Sequence, residues 1–422
     1  MNTPFSLRLT RWLSLCWLLM AGCAGLFAPW VATDIPWYVQ GAQGSYYPAF
    51  AGDSIFKSED STTFMLGVHK ENVDWTKQGY DQIVWAPVPF GTDKASSEKD
   101  RPPGSRAGTP GQFRHVLGTN EDGRDVLAAL IWGARRSIAT GLAVALLAGI
   151  LGIGLGAWAG YWGDQRLKIT RGEMLGLIAG IFPAWFYGWE VSSLQLTDAA
   201  LASALGPFML LCVRNMSISM GVMWVFFRLG RLTGRLHKAF QKPVAVPADA
   251  AVLRSIELLN ALPLLLLYIA LSSVFHEGKN DWLLILLFAL TSWTFIARLI
   301  RAEFLKLGEA DFVQAARALG LPPGRVLFSH MIPHALSPAL SALPLIAAAT
   351  ILAETGLSYL GITNADSGWG NLLSEIKSYS KNWWILLFPG LTIFFTILSI
   401  NTLSGMLRDL LNPALHTSER GK

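Results

Sequence analysis

The chain has 422 residues, 52% hydrophobic and 15% charged, with a formal net charge of +5. It is too apolar for a soluble globular protein, and its basic residues flank apolar runs without the stripe and interleaved aromatics of a nucleic-acid binder. Cys16, Cys23 and Cys212 all stand inside apolar runs, which excludes a disulfide framework and a metal-ligand spacing and leaves them as small apolar groups.

A bilayer core about 30 Å thick takes ~20 apolar residues per helix. Trp12 to Val31 carries no charge and predicts the first span. Arg8 and Arg11 before it place the N-terminus in the cytoplasm. Leu19-Met20-Ala21-Gly22-Cys23 loosely resembles a lipoprotein cleavage site. Met20 suits that motif poorly, however, and the apolar run continues to Val31, so a retained span is expected. Residues 32 to about 115 are polar and carry ten acids between Asp34 and Asp100, which predicts an extracytoplasmic segment. Within it, Lys94 to Gly111 is turn-rich and reads as a linker.

Val126, Leu127, Leu130 and Ile131 recur at helical spacing. They predict a short amphipathic helix with Asn120 as its cap and Glu121 and Asp122 in its first turn, leading into a second span at Ile138 to Gly163. Gly152, Gly156 and Gly160, four residues apart, predict close approach by another helix backbone. Two further runs follow, Met174 to Trp189 and Ala199 to Phe227. Arg166, Lys168 and Arg171 precede them; Arg228, Arg231, Arg235, Lys238 and Lys242 follow; Glu190 and Asp198 lie between. Basic outer flanks and an acidic tip predict an inserted two-span hairpin that enters from the cytoplasm and returns to it. Arg214 interrupts the second run and must lie against protein polar groups or water.

Leu258 to Phe275, Trp282 to Ala297, Ala335 to Ala353 and Asn382 to Leu407 supply the remaining spans and leave Arg408 to Lys422 in the cytoplasm. The expected fold is all-α and polytopic: a six-span core plus the hairpin, about eight spans.

Residues 298–333 are charged and helix-forming yet lie between two apolar runs. Phe312, Ala315, Ala316 and Leu319 fall at i, i+3, i+4 and i+7, one face of a short helix. Gly320 stands where a left-handed residue ends a helix, and Pro322-Pro323 forbid continuation. Arg325 to Met331 predicts a second helix, and Pro333 would redirect the chain into the next span.

Gln314-Ala315-Ala316, Gly320 four positions on, and Ile332-Pro333 resemble the cytoplasmic coupling loop of binding-protein-dependent ABC importer permeases, with Gln314 where that loop usually carries an acid. Gly118-Thr119-Asn120, Gly123-Arg124-Asp125, Ala159 to Gly163, Leu357 to Gly361 and Trp369-Gly370-Asn371 resemble the oligopeptide/dipeptide/nickel subset of that family. Residues 164–247 depart from it. The resemblance implies a permease subunit of an ATP-driven importer for peptides or a related solute, in a bacterial inner membrane with both termini cytoplasmic. Its implied partners are two ATPase subunits, a second permease subunit, an extracytoplasmic solute-binding protein and membrane lipid, with no nucleic acid. It also implies coupling to the ATPases through Phe312, Gln314, Ala315, Ala316, Leu319, Gly320 and Pro333, and no catalytic residue, metal or cofactor.

The expected organisation is a cytoplasmic N-terminus and first span (1–31), an extracytoplasmic segment (32–117), the start of the permease core (118–163) and the inserted hairpin (164–247). The rest of the core (248–413) and a tail (414–422) follow. The sequence holds no G-x-x-x-x-G-K-[ST] phosphate loop, so ATP hydrolysis is expected on separate subunits. Alternatives are a permease for nickel or another non-peptide solute, or an ATP-independent secondary transporter. The latter calls for an internal inverted repeat, and none is visible.

Overall fold

Uncharged sequence becomes helix, and the helices run further than the apolar stretches alone require. The structure, a computed structural model, describes residues 5–41, 44–50, 82–91, 99–107, 113–201, 205–236, 238–274, 281–362, 368–377 and 382–411. Half of the linker at 94–111 and the tail beyond Leu411 lie outside the described residues.

α1 (Phe5–Leu26) forms the first span, and the short α2 (Ala28–Val31) follows it. A three-stranded antiparallel sheet follows, β1 (Tyr38–Gly41), β2 (Gly44–Tyr46) and β3 (Gln82–Val84) in the order β2-β1-β3. β4 (Ser105–Arg106) then pairs with β5 (Arg114–His115). α3 runs unbroken from Val126 to Trp162. The separate amphipathic helix expected before the second span is therefore its first turns, and at about 55 Å the helix outruns the hydrocarbon core. The cap also differs from expectation. Asp125, not Asn120, closes the N-terminus, its Oδ1 accepting the Ala128 N–H at 2.8 Å. Asn120 sits one turn earlier, accepting the Arg124 N–H, and Gly123 at φ +78° prevents the helix from starting there.

The inserted hairpin is present. β6 (Lys168–Thr170) leads into α4 (Arg171–Trp185), which continues through a π-helical turn (Phe186–Glu190) to α5 (Ser193–Leu201). α6 (Leu205–Leu236) returns antiparallel to α4 and reaches β7 (Pro243–Ala245) through a 3-10 turn (Lys238–Gln241). β6 and β7 pair with each other, so the two ends of the insertion are stitched together. Asp164, just before the seam, accepts the Ala250 N–H at the start of α7 (Ala248–Ala261), supplying the cap that Pro247 cannot.

α7 is followed by α8 (Leu264–Val274) across a 76° bend, so the span expected at Leu258 to Phe275 is a broken pair. Pro263 has no N–H to give a helix and drives Leu262 to extended angles, φ −79° and ψ 131°. α9 (Asp281–Gly308), α10 (Asp311–Ala318), α11 (Pro323–Arg325), a π-helical stretch (Val326–Met331) and α12 (Ile332–Tyr359) come next. α13 (Trp369–Glu375) and α14 (Trp383–Leu411) complete the described chain. Among the described residues six helices are long and apolar enough to span a bilayer, and the bent pairs α4/α5 and α7/α8, each counted as one span, raise the number to eight. This is the all-α polytopic fold expected from the sequence.

Two compact units divide the chain. The first comprises residues up to Leu142 with Pro344–Leu407. At its centre lies Trp369, fully buried, donating its indole N–H to the Leu130 carbonyl at 3.0 Å. Gly133 leaves room for that ring: a β-carbon there would stand 2.5 Å from Trp369 Cδ1. The second unit comprises Ala143–Leu343 and the end of α14. Here Gly152, Gly156 and Gly160 meet α9, and the tight packing expected of them occurs within the chain. β-carbons at these positions would lie 2.6 Å from Ile296 Cβ, 2.5 Å from the Ala297 carbonyl oxygen and 2.5 Å from Phe304 Cβ.

Candidate coupling site

The site is built at the end of α9, which carries helix past the charged Arg298 and Arg301 to Gly308. Arg301 is held by both carboxylate oxygens of Asp249 on α7. The chain then turns at Glu309 and Ala310 into α10, eight residues long. Asp311 in its first turn and Arg317 in its last match the helix dipole. Arg317 Nη1 also donates to the Gly308 carbonyl at 3.4 Å, and Gln314 Nε2 to that of Glu309 at 3.3 Å. Both bonds fold α10 back on the end of α9.

α10 ends as its sequence predicts. Gly320 lies at φ +75°. Its N–H bonds the Arg317 carbonyl at 3.0 Å, and the Leu321 N–H bonds that of Ala316 at 3.3 Å. Those two bonds are the 5→2 and 6→1 pair of a Schellman termination, which needs a left-handed residue at this position. Pro322 then starts the next helix in extended conformation. Tyr161, near the end of α3, donates its hydroxyl to the Pro323 carbonyl at 3.2 Å and fastens the turn from a second side.

The seven residues picked out from the sequence divide in two. Phe312 (40% exposed), Gln314, Ala315, Leu319 (82% exposed) and Gly320 face outward. Ala316 does not: it is buried with Val313 on the adjoining stripe, and those two seat α10 on the protein. On so short a helix the stripes Phe312/Ala315/Leu319 and Val313/Ala316 are adjacent, and spacing alone cannot say which turns inward. Pro333 is exposed but makes no corner, because helix runs from Pro323 to Tyr359. The π-helical stretch Val326–Met331 just before it absorbs the missing proline N–H. Sequence reasoning passed over Phe328, 69% exposed on that stretch. Its signal was a large apolar side chain in a charged interval. An exposed helix with an apolar outer stripe, rigidly ended and tied at both sides, is suited to being pushed as one body.

A second polar cluster lies in the first unit. His115 and Asp125 are both buried and joined Nδ1 to Oδ2 at 2.9 Å, with Phe90 stacked on the imidazole at 4.3 Å between centroids. The Trp384 indole N–H donates to the Thr119 carbonyl at 3.1 Å. Asn120 Nδ2 donates to Glu375 Oε1 at 3.0 Å. Burial pushes the Glu375 carboxyl up to about 7, against the lowering effect of the Asn120 bond, with Asp122 adding to the rise.

An acid raised in this way costs stability as it ionises. The penalty is absent below pH ~4.5, grows as pH climbs towards about 7, and is full above that, up to roughly 3 kcal/mol. Glu375→Gln keeps the acceptor and removes the charge. It is expected to match the wild type in thermal stability near pH 4.5 and exceed it at pH 8. Parallel melting-temperature curves for the two proteins across that range would refute the assignment.

The family described as the binding-protein-dependent transport system inner membrane component matches residues 245–417, which contain α7 to α14 and the whole of this loop. Over those residues the chain carries the domain of that permease family. Among relatives of the permease, a Brucella suis protein named for a peptide transport system permease is 28% identical over 309 residues, 72% of this chain and 76% of its own. A Brucella ovis protein named for a peptide permease is 35% identical over 171 residues, 39% of this chain and 56% of the relative. The oligopeptide transport system permease protein OppC of Haemophilus influenzae is 28% identical over 231 residues, 54% of this chain and 70% of the relative. The permease is thus a multi-pass membrane component of an ABC transport system.

Proposed function

We propose that this permease carries peptides into the cell, driven by ATP hydrolysed on two separate ATPase subunits that dock on α10. A second permease subunit completes the pathway, and an extracytoplasmic solute-binding protein delivers the cargo to the side that bears residues 32–117. Both termini and the coupling loop then face the cytoplasm. The observation that carries this reading is α10 itself, with Phe312, Ala315 and Leu319 outward and Val313 and Ala316 anchored behind them. Closure of the ATPases on nucleotide displaces α10, and the tie from Tyr161 to Pro323 shares that displacement between α3 and α12. The permease acts as a two-state element whose equilibrium its partners bias. The names of the relatives favour peptides as cargo.

The test is ATP-dependent uptake of labelled peptides by the complex reconstituted in liposomes with its companion subunits. Uptake of nickel but not of peptides would replace the cargo, and uptake independent of ATP would end the reading. The same assay tests the insertion, which we assign to the periphery of the six-span core. Its paired ends and the Asp164 cap define the excision: removing residues 168–245 joins Leu167 to Val246, whose N–H already bonds the Leu167 carbonyl at 2.8 Å. The shortened permease is expected to retain at least a substantial part of peptide uptake. A stably assembled deletion variant with changed cargo selectivity would place the hairpin in the pathway instead.

A further inference from the structure

Arg214 on α6 is a charged residue within a helix that spans the membrane. The packing of α4 on α6 fixes its depth. Glu173 pairs with Arg231 at 3.3 Å, and Gly176 admits the Gly230 backbone. Ser219 Oγ donates to the Ala184 carbonyl at 3.0 Å, and Arg214 Nη2 to Ser192 Oγ at 2.9 Å. This register is constant along the whole hairpin and sets Arg214 opposite Ser192, just past the stretch Arg171–Glu190. Twenty helical residues rise about 30 Å, the thickness of the hydrocarbon core. With Arg171 at one face of the bilayer, Arg214 therefore stands at the opposite headgroup boundary. Phe208, under two turns further on, packs against Trp282 at 4.1 Å between ring centroids, an aromatic pair of the kind found at membrane interfaces.

The guanidinium is bound but not neutralised. Besides Ser192 it donates to Gln195 Oε1 at 3.0 Å and to Asn215 Oδ1 at 3.3 Å, all uncharged acceptors. Asn215 is fully buried, and its Nδ2 has no partner among the described residues. No carboxylate among the described residues lies within ion-pair distance of Arg214, which is exposed. Glu190 and Asp198, at the same end of the hairpin, are exposed too. Around this cluster the hairpin is apolar and almost uncovered: only 6% of the most apolar stretch of α6 is buried, against 39–50% for α3, α9, α12 and α14. Phe182, Trp185, Met216, Met220 and Trp224 are all exposed.

We propose that the outer end of this hairpin holds the headgroup of a zwitterionic phospholipid, with the phosphodiester on Arg214 and the ammonium group towards Glu190 and Asp198. The inference rests on the proposed orientation of the hairpin in the membrane. The neutral clamp of Ser192, Gln195 and Asn215 aims the guanidinium and leaves its charge for an anion. Helical side chains lean towards the N-terminus of their helix, which for Arg214 is the headgroup side. The exposed Phe, Trp and Met side chains below it offer acyl chains a surface, and acids at the same end of the hairpin as the cation suit a headgroup that carries both charges.

The test is native mass spectrometry of the intact transporter complex, delipidated in detergent and titrated with phosphatidylethanolamine or phosphatidylglycerol. The wild type is expected to retain phosphatidylethanolamine in preference. Arg214→Gln is expected to lower that retention about tenfold, the loss of one charge-assisted contact, and Arg214→Lys to keep part of it. Glu190→Gln with Asp198→Asn alters only exposed side chains and should shift the preference to phosphatidylglycerol, so the proposal stays testable if Arg214 variants fail to insert. Unchanged lipid retention in Arg214→Gln, or an unchanged preference in the double variant, overturns it. So would loss of a protein subunit with lipid retained, which would mean that the guanidinium faces a partner's acid. Displacement of the lipid by inorganic phosphate would mark a simple anion site and overturn it as well. None of these readouts depends on which solute is transported.

Discussion

Replacing Gly320 by aspartate is expected to abolish ATP-driven uptake while the permease inserts at its normal level. A β-carbon at this position meets nothing within 4 Å, so the substitution creates no clash. It forces a side chain onto a backbone at φ +75°, at a cost of roughly 1–2 kcal/mol. That is too little to unfold a protein whose stability is of order 5–15 kcal/mol. It is enough to loosen the Schellman turn that ends α10, and the new carboxylate lies beside Leu319 on the outward stripe. Gly320→Asn separates the two effects, because asparagine tolerates the left-handed region and adds no charge. It should transport close to the wild-type rate. Full uptake by Gly320→Asp would remove α10 from the coupling mechanism.

Gly156→Val should have the larger effect on the folded protein itself. Its β-carbon would stand 2.5 Å from the Ala297 carbonyl oxygen and 3.0 Å from Ala297 Cα, both backbone atoms that no side-chain rotation can move aside. α3 and α9 would have to separate, and Gly152 and Gly160 would lose their contacts with them. Overpacking costs ~1–3 kcal/mol where side chains can yield, and here they cannot. Loss of monodisperse protein after detergent extraction is the expected result. Gly154→Val is the control, since Gly154 faces open space within the same helix and its valine should be tolerated. A Gly156→Val permease that melts at the wild-type temperature would show that the packing of α3 on α9 is loose.

The two substitutions mark a division in what could be read before the structure. The role of Gly320 in ending α10 was legible because it is local: a glycine after the last periodic residue, followed by Pro322-Pro323, admits few backbone conformations. The spacing of Gly152, Gly156 and Gly160 announced a close approach without naming the neighbour. Other features were legible only in part. Leu258 to Phe275 was legible as an apolar run, but its bend at Pro263 was not, because hydropathy reports where a segment lies and not whether it is straight. The inward turn of Ala316 was hidden by the shortness of α10, whose two apolar stripes differ by a single helical step.

By itself the sequence determined that this chain crosses a membrane repeatedly, which stretches are apolar enough to do so, that a basic-flanked hairpin interrupts the core, and that α10 ends at Gly320. Uncharged length, flanking charge and a glycine's access to positive φ are properties of consecutive residues, and they act before any distant segment arrives. Only the tertiary structure decided which residues meet across long separations. It paired β6 with β7 to close the insertion and set Asp164 as the cap of α7. It gave Arg214 its neutral clamp, passed the capping of α3 from Asn120 to Asp125, and buried Glu375 beside Asn120. Each of those outcomes turns on a polar group finding its partner in space. The free energy of that choice is set by burial and geometry, which spacing along the chain does not carry.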